Sequence, residues 1–177
     1  MSQLRKNLDK VLNVLAGVSF IAMVLLTCWQ VFTRYILSNP SSWSEELVGY
    51  LFAWMSLFGA CLVTGERGHM NIPLLIEKVK PGFQKLLGIF SEVIACIFAI
   101  VILVFGGVQI SSLAMGQMTS SLGVPIGAFY VVMPVCGVLI ALYTIINIIE
   151  IANGTMSVIV ADEAAQAIEK AEKEVQK

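Results

Sequence analysis

The sequence predicts an all-α membrane protein: four transmembrane helices, short interfacial amphipathic helices, and both termini cytoplasmic. Three observations carry this. Apolar residues make up 58% of the 177-residue chain and charged residues only 13%, a balance outside that of soluble domains. No charge lies between Glu92 and Glu150, a stretch that a water-facing domain would not leave bare. Four apolar runs are long enough for a hydrocarbon core about 30 Å thick, which takes roughly 20 helical residues. Eleven Lys and Arg against twelve Asp and Glu give a net charge of −1, without the basic surplus of a nucleic-acid binder, so no nucleic-acid partner is expected.

The expected spans are about 11–33, 47–64, 86–108 and 129–149, within a membrane domain of 11–151. They are continuously apolar rather than alternating, and a spanning backbone must satisfy its own polar groups, so they are helices rather than barrel strands. Arg5, Lys6 and Lys10 precede the first span, Arg67, Lys78, Lys80 and Lys85 fill the middle connection, and Lys170, Lys173 and Lys177 end the tail. These ten belong on the cytoplasmic side, against Arg34 alone outside. Trp29, Phe32, Tyr35, Trp43, Tyr50, Phe129 and Tyr130 gather near the outer rim, where amphipathic rings prefer to sit. A cleaved signal peptide is not expected. The first apolar run exceeds the usual core of about 7–15 residues, and no small-x-small cleavage site follows it.

Residues 1–10 read as a short helix on the inner surface, with Leu4, Leu8, Val11 and Leu12 at helical spacing. A second interfacial helix is expected over 71–80. Ile72, Leu75, Ile76 and Val79 form its apolar stripe, Asn71 its cap, Pro73 its first turn and Pro81-Gly82 its stop. Such stripes either anchor the bundle at a fixed depth in membrane lipids or simply connect two spans. The third connection, 109–128, reads as a helical extension, a break and a turn. Gly123 and Gly127 spell GxxxG, but the intervening Pro125 argues against a continuous dimerisation helix. The segment 152–177 is a charged cytoplasmic tail with a weak helical stripe and a Glu169–Lys173 pair.

Catalytic and cofactor signatures are missing, and no metal, cofactor or enzymatic activity is expected. One histidine, His69, excludes paired axial imidazoles and HExxH chemistry. Cys28, Cys61, Cys96 and Cys136 fall one per span without CxxC spacing, and read as apolar fillers rather than as a thiol oxidoreductase. Gly106-Gly107 lies inside a span rather than in a phosphate loop. Asn13, Ser19, Thr27, Gln30, Ser56 and Thr64 are scattered polar groups that can bond backbone or neighbouring helices.

Ionisable groups sit at the rims, where burial in lipid implies a partner or a wet path. Arg34 ends the first span, and Glu45 and Glu46 open the second after Trp43. An outer-rim ion pair of Arg34 with either carboxylate would fix the first hairpin, or one of these groups would reach another subunit. Arg67 and His69 close the second span, and Glu150 ends the fourth. Glu92, about two turns into the third, should snorkel or meet a partner.

From Trp43-Ser44-Glu45-Glu46-Leu47 onward the chain resembles the small membrane subunit, DctQ-like, of tripartite ATP-independent periplasmic (TRAP) transporters. The Trp29–Tyr35 run WQVFTRY precedes that motif, and Phe58-Gly59-Ala60 and Arg67-Gly68-His69 follow it. Pro125 and the 130–134 stretch fit the family's Pro-containing region. The resemblance covers roughly 5–150. It implies a sodium-coupled importer of organic acids in the bacterial inner membrane. Its partners would be a large multi-span membrane subunit and a periplasmic substrate-binding protein, with this chain as a scaffold that binds no substrate itself. Carried over as subunit-contact or hairpin-fixing groups are Arg34, Trp43, Glu45, Glu46, Arg67, His69 and Glu92. The overall look suggests the sialic acid branch, and the chain end at Lys177 an unfused subunit. The alternative is a self-sufficient homo-oligomeric transporter or channel built around Glu92.

Overall fold

The computed structural model describes residues 2–66 and 81–153. Arg67, His69, Ile72, Leu75, Ile76 and Val79, the expected 71–80 helix and the tail beyond 153 lie outside the described residues, as does the side chain of Leu4. Helix α1 is Ser2–Tyr35 and α2 is Ser42–Gly65. Helix α3, Pro81–Phe98, runs through a π-helical segment, Ala99–Gly106, into α4, Gly107–Ala114. Helices α5, Ile126–Tyr130, and α6, Val132–Ala152, complete the fold. Four helical rods are long and apolar enough to cross a membrane. Among the described residues there is no strand, only one bridge between Met118 and Pro125.

The N-terminal segment differs from the expectation. Residues 1–10 do not form a separate surface helix, because α1 is unbroken from Ser2. Leu12 is buried and Leu8 packs against the core. An apolar stripe facing protein has the same spacing as one facing a bilayer surface, and here Leu8 and Leu12 turn inward while Val11 stays exposed.

Helix α6 is the hub: α2, α3 and the π segment all pack on it, while α1 packs chiefly on α2 and α4 on α5. The core joins Leu12 of α1, Phe58 and Cys61 of α2, Ala99 and Leu103 of the π segment, and Cys136, Ile140, Ala141 and Tyr143 of α6. All four cysteines are free thiols. Cys61 and Cys136 fill the centre, with the Cys61 thiol directed at the Cys136 carbonyl at 3.6 Å.

Close approach of α6 depends on missing side chains, as small residues allow in membrane bundles. A Cβ on Gly137 would stand 2.7 Å from the Leu103 Cβ, and one on Gly127 would collide with the Ser111 carbonyl. Gly127 is thus consumed within the chain, so the GxxxG spelling marks an internal contact. Pro134 falls in the first turn of α6, where its missing N–H leaves no helical bond unmade.

Candidate functional site

The polar side chains that the bundle positions fall into two clusters, one at each end. At the end carrying the N-terminus, α6 is bonded to every other long helix. Asn147 Nδ2 donates to Glu92 Oε1 and to the Thr64 carbonyl, both at 3.1 Å. Glu92 is 1% exposed, so it does not snorkel. Lys85 Nζ donates to the Ala152 carbonyl at 2.8 Å, satisfying an end carbonyl of α6 and opposing its dipole. That bond sets α3 and α6 level. Glu92 then lies seven residues along α3 and Asn147 five residues back along α6, about 10 and 8 Å from the same plane, so they meet.

Helix α1 joins this cluster through two groups. Tyr143 Oη donates to Asp9 Oδ1 at 2.5 Å, and Arg5 Nη1 pairs with Glu150 Oε2 at 2.9 Å. Gly65 makes room for the tyrosine, since a Cβ there would stand 3.0 Å from its ring.

At the opposite end, one face of α2 reads the connection between α4 and α5. Glu46, Tyr50 and Trp54 recur every four residues, so they share that face. Glu46 accepts the Ser121 N–H at 2.9 Å and the Ser120 N–H at 3.3 Å. Tyr50 stacks on Phe129 with ring centroids 4.0 Å apart, and Trp54 Nε1 donates to the Phe129 carbonyl at 2.9 Å. The connection is itself braced: the Thr119 N–H donates to the Val124 carbonyl and the Val124 N–H to Thr119 Oγ1, with Gly123 at φ 65° making the turn.

The ion pair expected across the first hairpin is not formed. Glu46 faces the 120–121 backbone instead. Glu45, one residue earlier and about 100° around the helix, turns toward Arg34 without pairing, and among the described residues neither has an ion-pair partner. Trp43 is exposed at the helix start. Among the described residues, no three His, Cys, Asp or Glu side chains converge as a metal site would require.

Asp9, Tyr143, Asn147 and Trp54 carry this geometry without having been singled out as site residues. A usable signal existed for Asn147, because a buried polar group in one apolar run calls for a partner at equal depth in another, and Glu92 supplies it.

A family model described as "Tripartite ATP-independent periplasmic transporters, DctQ component" matches residues 23–154. The chain belongs to that family. The sialic acid TRAP transporter small permease protein SiaQ of Vibrio cholerae is 28% identical over 140 residues, 75% of this chain and 81% of that one. The C4-dicarboxylate TRAP transporter small permease protein DctQ of Vibrio cholerae is 30% identical over 83 residues, 47% of this chain and 36% of that one. The sialic acid TRAP transporter permease protein SiaT of Haemophilus influenzae is 28% identical over 95 residues, 52% of this chain but 15% of that much longer one. The chain is therefore a multi-pass membrane protein of a DctQ transporter-component family, which is not an enzyme class. The family match takes in Glu46, Glu92, Tyr143, Asn147 and Glu150, while Arg5 and Asp9 precede it.

Proposed function

We propose that this chain is the small scaffold subunit of a sodium-coupled TRAP transporter that imports an organic acid across the bacterial inner membrane, with both termini cytoplasmic. A large multi-span subunit moves the substrate after a periplasmic binding protein delivers it, and this chain braces the large subunit. The relatives named for sialic acid and for C4-dicarboxylate transport support a carboxylate substrate, and sialic acid is the reading we favour. The ten-to-one placement of Lys and Arg supports the orientation.

The observation that carries the scaffold role is the cross-bonding of the other three rods to α6 at one end. A bundle locked this way behaves as a frame, against which an elevator-type partner can slide. Its exposed apolar faces meet lipid or the partner. Arg67 and His69 serve as contact groups, Arg34, Trp43 and Glu45 meet the partner directly or through bound lipid, Ile72, Leu75, Ile76 and Val79 with Leu4 serve as surface anchors, and Glu46 as a fixing group for the loop. The rival reading of a self-contained homo-oligomeric transporter rested on Glu92 as a functional carboxylate. Its burial against Asn147 gives that carboxyl a structural use.

The test is to tag the chain in its host, extract it in mild detergent and weigh the intact assembly. A one-to-one companion of many more spans is expected. A homo-oligomer without a companion would overturn the scaffold role.

A further inference from the structure

Two adjoining hollows open where α1 ends and α2 begins. The larger, a cleft of about 660 Å³, is walled by Trp29, Thr33, Asn39, Ser41 and Trp43, with Ser121 across it. Its size lies within the roughly 300–1,000 Å³ of small-molecule sites. The smaller, about 50 Å³, shares Pro40 and Ser41 with it and adds Gln30, Arg34 and Glu45.

Three features mark these hollows as a built seat. Gln30 Nε2 and Ser41 Oγ are buried there without a hydrogen-bond partner among the described residues, and buried polar atoms ordinarily have one. Arg34 and Glu45, of opposite sign, line the smaller hollow yet do not pair with each other or with any other described residue. Ser41 starts α2 without a side-chain cap, so the helix's first N–H groups remain available to an anion. A pure anion would meet Glu45 and a pure cation Arg34. A ligand that carries both charges on a short spacer satisfies each.

Trp29 and Trp43 are both exposed at the ends of apolar rods, the level at which indoles meet lipid head groups. From Trp29, an apolar stripe runs down α1 through Leu25, Ile21 and Val18, which are 65%, 61% and 60% exposed. Their spacing places them on one helix face, leading from the cleft into the hydrocarbon.

The geometry points to a bound zwitterionic phospholipid with a primary ammonium. Its phosphate sits toward Arg34, Gln30 and the start of α2, its ammonium toward Glu45, and its acyl chains along the α1 stripe. The seat needs only that the hairpin lie at one end of the spans, so it stands independently of the scaffold role.

Native mass spectrometry of the full chain, with any companion it retains, tests this. Phosphatidylethanolamine, phosphatidylcholine and phosphatidylglycerol with identical acyl chains serve as probes. Wild type should retain phosphatidylethanolamine about fivefold over the other two, the worth of one exposed charge contact. Glu45→Gln should erase the preference over phosphatidylcholine, whose ammonium has no N–H, while Arg34→Gln should weaken all three. Each variant is read separately, so failure of one to fold leaves the other decisive. A wild-type preference for phosphatidylglycerol, or an unchanged ethanolamine-to-choline ratio in a folded Glu45→Gln, would overturn the assignment.

Discussion

At the end bearing the N-terminus, side chains of α1, α3 and α6 bond between rods and the Thr64 carbonyl ties in α2; at the hairpin end, α2 reaches across, and what it grasps is mostly backbone. The first arrangement includes the fully buried Glu92, Asn147 and Tyr143. The second uses a partly exposed carboxylate on two loop N–H groups and an indole on a carbonyl. Side chains bonded between rods set the depth and rotation of each helix. Side chains bonded to a loop's backbone set only the shape of that loop. The bundle is therefore registered from one end, and the other end is free to present a surface, which is where the hollows lie and where Arg34 and Glu45 have no ion-pair partner among the described residues.

The comparison breaks most readily at Asn147. Replacing it by leucine removes a donor from buried Glu92 and from the Thr64 carbonyl, and should cost about 2 kcal/mol. Denaturation of the detergent-solubilised chain would read that loss. Trp29 and Trp43 line the hairpin cleft and the Trp54 indole is bonded to the Phe129 carbonyl, so native emission reports on the other end. A lowered midpoint with unchanged emission is expected for Asn147→Leu. A shifted emission would mean that the ends are coupled.

Glu46→Ala probes the other side of the comparison and should cost less, about 1 kcal/mol, because the carboxylate is partly exposed and its partners can turn to water. Hydrogen exchange in residues 115–125 should quicken, while protection around Glu92 and Asn147 stays as in wild type. Glu46→Gln, which keeps one acceptor oxygen, should fall between. If exchange in the loop were unchanged, the bonds to Ser120 and Ser121 would have no part in ordering it.

The four rods were legible because crossing hydrocarbon demands apolar runs of a fixed length. Their limits were less so: α1 begins nine residues before its expected span (11 − 2), because Leu8 and Leu12 face protein rather than a membrane surface. At the sites, Glu92 stood out as costly, but its contact with Asn147 did not, since spans apolar on nearly every face conceal which face meets which helix. Glu46 was visible as a rim charge, yet its true partners are backbone N–H groups some 75 positions away. Backbone donors carry no signature in a sequence, so the carboxylate was matched to the nearest visible cation, Arg34. Gly127 shows the same limit from another direction, because its role depends on the Ser111 carbonyl it touches rather than on a motif around it.

The smallest expected effect concerns how the first hairpin closes. Past the end of α1, the Asn39 N–H is bonded back to the Thr33 carbonyl six positions earlier at 3.1 Å, and the chain turns there through a left-handed residue. Ser38 occupies that place at φ 50°, and a side chain there costs about 1–2 kcal/mol. Glycine would relieve the strain but lose more freedom on folding, about 0.5–1 kcal/mol. Ser38→Gly should therefore raise stability by only about 0.5 kcal/mol, and Ser38→Val should lower it by more. Because Leu37 and Asn39 line the larger hollow, Ser38→Gly should leave head-group preference intact while Ser38→Val disturbs it, which separates the shape of the connection from the charges that flank it.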